Sequence, residues 1–110
     1  MALQPVPVVK KVTFGKIHAI IHEIVRHIDR DGNYVYRCTY HLTDYSVTPP
    51  IKTDTAWCFF KEPEITPEER RGKTLEQIRK LWAKKFIQNL KGALNEAVKQ
   101  YKANRDVFRL

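Results

Sequence analysis

The 110-residue chain has one serine, Ser46, only four glycines, and no apolar run near the length of a membrane span. With no glycine-rich elbow or phosphate loop, serine-nucleophile chemistry and nucleotide cradling have no motif to rest on. A spanning helix needs about 20 consecutive apolar residues, so a transmembrane segment is excluded. Cysteine is nearly as scarce: Cys38 and Cys58 sit singly on apolar runs, and no Cys-x-x-Cys pair exists. In a chain without a signal-peptide pattern, two such thiols are expected to be reduced, buried and intracellular. A disulfide between them would require an oxidising compartment.

Metal ligation is equally unmarked. His18, His22, His27 and His41 are suitable ligand types, but a strand would hold His18 and His22 about 13 Å apart. In a helix His22-Glu23 would begin a metalloprotease motif, yet the next histidine, at position 27, comes one residue too late. No catalytic residue, metal site or cofactor is expected, and the chain reads as non-enzymatic.

Negative charge is missing from the last third. From Arg70 onward twelve basic residues meet only Glu76, Glu96 and Asp106, a net of +9. Residues 1–69 hold eight basic and nine acidic side chains, a net of −1. A near-neutral body carrying a cationic segment points to a polyanionic partner, because clustered cations sum to a field that attracts phosphates.

What is present suffices for one folded domain spanning 1–110. A hydrophobic content of 43% and twelve aromatic residues exclude a disordered chain, and the length supports a single core. Residues 1–11, with Pro5 and Pro7, read as an extended arm. Residues 12–61 read as a β-hairpin plus a third strand, and 62–73 as a charged connector. Residues 74–103 read as a long basic amphipathic helix.

Two readings compete over Ile17–Ile28. Ile17, Ile20, Ile21, Ile24, Val25 and Ile28 recur at helical spacing, yet their β-branching favours a strand. Asp29-Arg30-Asp31-Gly32-Asn33 decides for the strand, since it fits a type I turn followed by a left-handed glycine. That loop sets Ile28 opposite Tyr34, Ile24 opposite Cys38 and Ile20 opposite Leu42. It also sets Glu23 opposite Thr39 and Val25 opposite Arg37. A tight two-residue loop would instead oppose Arg26 and Arg37, a like-charge clash. The unbroken apolar run Ala56–Phe60 predicts a central strand buried on both faces.

Thr66-Pro67-Glu68-Glu69 predicts a single capped turn that stops near Gly72, and Thr74 with Gln77 predicts a capping box. Leu75, Ile78, Trp82, Phe86, Leu90, Leu94, Ala97 and Tyr101 form the helix stripe. Four-residue steps make it drift by about 40° each, which suits a helix lying across a twisted sheet. Gly92 is expected to mark a kink, a close approach to the sheet or the point of departure from the body. The fold class is therefore α+β, an antiparallel sheet of three to four strands packed against one long C-terminal helix.

Lys80, Lys84, Lys91 and Lys102 return to one side of that helix, with Gln77, Gln88 and Asn95 beside them and no carboxylate expected to pair with them. Arg70, Arg71 and Lys73 extend the patch at the helix start. Lysines act as point charges, so sequence-tolerant contact with the phosphates of DNA or RNA is expected. A solubilising surface would show the same charge pattern. Tyr34, Tyr36 and Tyr40, beside Arg26 and Arg37, offer a stacking platform, but their alignment with isoleucines favours a core role. The alternative to nucleic acid is an adaptor with a protein partner or a homo-oligomer. It would use the proline-bearing arm, a sheet edge and the apolar residues beyond Gly92: Val98, Tyr101, Val107 and Phe108.

Overall fold

A computed structural model describes residues 6–107. The chain forms β1 (Lys11–Phe14), β2 (Ile17–Ile28), β3 (Tyr34–Asp44), β4 (Ile51–Lys52), β5 (Ala56–Lys61), α1 (Pro67–Arg70) and α2 (Leu75–Val107). The architecture is α+β, a five-stranded antiparallel sheet with one long helix on one face. Strands run in the order β1-β2-β3, and the far edge of β3 is shared by β4 and β5. The arm is shorter than expected, because Lys11 already pairs with Ile20 in β1. Residues 1–5 of the expected arm lie outside the described residues.

The β2–β3 turn has the expected geometry. Asp29 N donates to Asn33 O at 2.8 Å, Gly32 N donates to Asp29 O at 3.1 Å, and Gly32 has φ 80°. Asp29 Oδ1 also accepts from the backbone of Asp31 and Asn33. Ile28 pairs with Tyr34, Val25 with Arg37, Ile24 with Cys38 and Glu23 with Thr39. Beyond Glu23 the register departs from expectation. A β-bulge at His22 sets Ile21 opposite Tyr40 and Ala19 opposite Leu42, so Ile20 faces His41 and turns to the other side of the sheet. A further turn at Gly15-Lys16, with Gly15 at φ 61°, separates β1 from β2.

Both capping boxes are formed. Thr66 and Glu69 exchange hydrogen bonds across the first turn of α1, and Thr74 and Gln77 do so before α2. The helix buries Trp82, Phe86, Leu90, Leu94 and Val98. Each step of four residues advances about 6 Å along a helix, close to the 6.6 Å of two residues along a strand. The five positions therefore keep pace with Tyr36, Cys38, Tyr40, Leu42 and Asp44 on the inward side of β3, all of them buried. Contacts mark the two ends of the packed stretch: Tyr36 meets Phe86 at 4.9 Å and Trp82 at 6.5 Å, both edge-on, and Tyr101 bonds Asp44.

The molecule measures 55 × 29 × 21 Å, and its long axis accommodates a helix of this length. Two expectations about the helix change. α2 is continuous through Gly92, and no atom lies within 4 Å of where a Cβ would stand there, so that glycine marks neither a break nor a close approach. Val98 is buried and Tyr101 bonds Asp44, so neither offers an assembly surface. Val107 is exposed, and Phe108 lies outside the described residues.

β5 differs most from expectation. It pairs only with β3 among the described residues and is an edge strand. Phe60 is buried and Cys58 half-buried on the helix side, while Trp57 and Phe59 project from the other side, 63% and 57% exposed.

Candidate nucleic-acid interface

All seven expected contact residues, Arg70, Arg71, Lys73, Lys80, Lys84, Lys91 and Lys102, are exposed. At 100° per residue the four lysines fall within about 40° of one another around α2. They share one side of the helix, but the buried stripe rotates by about 160° between Trp82 and Val98, so the sheet lies at a different angle to each of them. Lys80 and Lys84 consequently lie opposite the sheet and Lys91 lies on the flank. Lys102 borders the sheet, lining a shallow cavity with Phe14, Lys16, Ser46 and Arg105.

The expectation that no carboxylate serves this row needs one correction, since Lys80 pairs with Glu76 at 3.5 Å. Three further carboxylates, Glu69, Glu96 and Asp106, and Asp44 at the end of β3 engage other cations of the helix. Lys85 bonds Glu69 at 2.6 Å and so holds that carboxyl down to about 2. Lys99 pairs with Glu96, and Arg105 pairs with Asp44 and Asp106. Arg70, Arg71, Lys73, Lys84, Lys91 and Lys102 make no ion pair among the described residues.

The tyrosines do not form a platform. Tyr36 and Tyr40 are buried and Tyr34 is half-buried. Tyr36 Oη accepts from Arg26 Nε at 2.9 Å and donates to Glu62 at 3.0 Å, and burial raises its pKa.

The helix-free side of the sheet carries a constellation that sequence reasoning missed. Register places Trp57, Phe59 and Lys61 of β5, Arg37 of β3, Lys52 of β4 and Lys11 of β1 on this side. The Arg37 guanidinium lies over the Trp57 ring, 5.2 Å from its centroid, and its Nε is buried without a hydrogen-bond partner among the described residues. Glu23 is the one carboxylate among the strand residues of this face. The available signal was the alternation of Trp57 and Phe59 with Cys58 and Phe60, which a uniformly apolar run conceals.

All four histidines lie on the same face. His22 and His41 share a 2.6 Å hydrogen bond between ring nitrogens, and the His18 ring packs against Tyr45 at a tilt of 59°. Burial, with Lys52 and His22 nearby, lowers the pKa of His41. No group of three or more metal-ligating side chains occurs among the described residues. Cys38 and Cys58 are free thiols on directly opposed residues of β3 and β5. No described helix is long and apolar enough to cross a membrane. No protein-family model matches the chain, and no curated protein or solved structure matches it significantly.

Proposed function

We propose that this chain is a small non-enzymatic module that binds nucleic acid through phosphate contacts along α2 and its approach. The observation that supports this is selective pairing. Carboxylates meet Lys80, Lys85, Lys99 and Arg105, while exposed Arg70, Arg71, Lys73, Lys84 and Lys91 have none among the described residues. An unpaired cationic row on a helix repels itself, and a bound polyanion relieves that repulsion. Ammonium groups projecting from a convex helix suit backbone contact in any sequence.

The test is a titration of the purified protein against labelled duplex and single-stranded DNA and RNA at two salt concentrations. Affinity that falls steeply with salt, and falls further in Lys84→Glu/Lys91→Glu, supports the reading. Affinity unchanged by both salt and substitution refutes it. The adaptor reading would draw instead on the free β5 edge, whose exposed Trp57 and Phe59 form the apolar patch available to a protein partner.

A further inference from the structure

We infer that the helix-free face of the sheet is a second binding site, one that stacks the unpaired bases of single-stranded nucleic acid on Trp57 and Phe59. The inference deepens the nucleic-acid reading and rests on it, but it does not depend on the helix lysines. Of these, Lys80 and Lys84 lie across the molecule from this face, on the far side of α2.

Trp57 and Phe59 are two residues apart on one strand, so their rings rise from the same side about 7 Å apart. That interval is twice the 3.4 Å step of a duplex strand, and it suits bases drawn out of their stack. Both rings stand in water at the open edge of the sheet. An aromatic ring offers every base a π-face, so recognition there is tolerant of sequence. A duplex keeps its bases stacked on one another and has none to offer the rings.

The charges favour a polyanion over a second copy of the chain. Arg37 holds its guanidinium over Trp57, so a base stacked nearby brings its phosphate toward a fixed cation. Lys61 follows Phe59 on the same side of β5, and Lys52 and Lys11 continue the positive surface across the sheet. A two-fold interface on this face would set that surface against itself, with Glu23 the one carboxylate among its strand residues to compensate.

Trp82 is buried, so Trp57 is the indole a ligand can reach, and its emission reports on the site. The experiment titrates the full chain with an oligothymidylate, an oligouridylate and a duplex of matched length, following tryptophan emission and anisotropy together. Single strands are expected to quench the emission, and Trp57→Phe is expected to remove the quench. Trp57→Ala and Phe59→Ala should each weaken single-strand binding about ten-fold or more and leave duplex binding unchanged. Circular dichroism confirms that these variants fold, as their exposure leads one to expect.

Single-strand binding without quenching, and indifferent to both substitutions, overturns this inference and leaves the helix surface standing. Binding of neither single strand nor duplex at low salt overturns both. A concentration-dependent dimer that Trp57→Ala dissolves also overturns the inference, because a second copy then covers the face.

Discussion

Tyr101 Oη donates to Asp44 Oδ2 at 2.8 Å, tying the last turns of α2 to the end of β3 across 57 positions of sequence. Asp44 is 1% exposed. Burial would raise its pKa, but hydrogen bonds from Ser46, Tyr101 and Arg105 outweigh that and hold the carboxyl well below the usual range. A buried carboxylate so fully satisfied anchors an element that otherwise only packs.

Removing one partner exposes the value of that anchor. Tyr101→Phe deletes one hydrogen bond and should cost about 1 kcal/mol. Asp44→Ala removes the acceptor that Ser46, Tyr101 and Arg105 share and should cost about 2 kcal/mol or more. Urea unfolding followed by circular dichroism measures both, as a lowered midpoint at unchanged slope.

Buried Asp44 and His41 give stability a pH dependence at separate places on the scale. Asp44 is depressed in the fold, so its contribution is present above the unfolded value of about 3.9 and fades as pH falls through and below it. His41 is also depressed, because burial disfavours its charged form. Its unfolded state binds the proton more readily, so stability declines as pH drops below about 6.5. Melting temperatures from pH 8 to pH 3 should show both declines, and His41→Gln should remove the upper one alone.

The aromatic cluster under β3 and β5 should dominate the core. Phe86 is fully buried and meets Tyr36 at 4.9 Å and Phe60 at 5.2 Å between ring centroids. Phe86→Ala should cost about 3–5 kcal/mol. Trp57→Ala, on the open face, should shift stability by no more than about 0.5 kcal/mol. Thermal melts of the two variants side by side distinguish a core ring from a surface one.

What could be read before folding was what is local. The Asp29–Asn33 turn, the register next to it and the capping boxes at Thr66 and Thr74 depend on residues within four positions of each other. The α+β class followed from them together with the four-residue stripe of α2. The bulge at His22 had no local marker, and it alone turned Ile20 away from Leu42. The order of strands was also hidden. Hydropathy cannot tell an edge strand with an exposed aromatic side from a strand buried on both, so Trp57 and Phe59 passed for core. The lysine row was legible as spacing, but its position relative to the sheet depends on how the buried stripe winds around α2.

The helix surface makes the central claim, and the salt dependence of duplex binding tests it most directly. In log–log form, affinity should fall with a slope of about −0.9 for each phosphate neutralised. Lys84→Glu/Lys91→Glu should flatten that slope by about 2 and weaken binding at every salt concentration. A slope near zero, or one that the double substitution leaves untouched, would contradict the account and make those lysines a solvated surface.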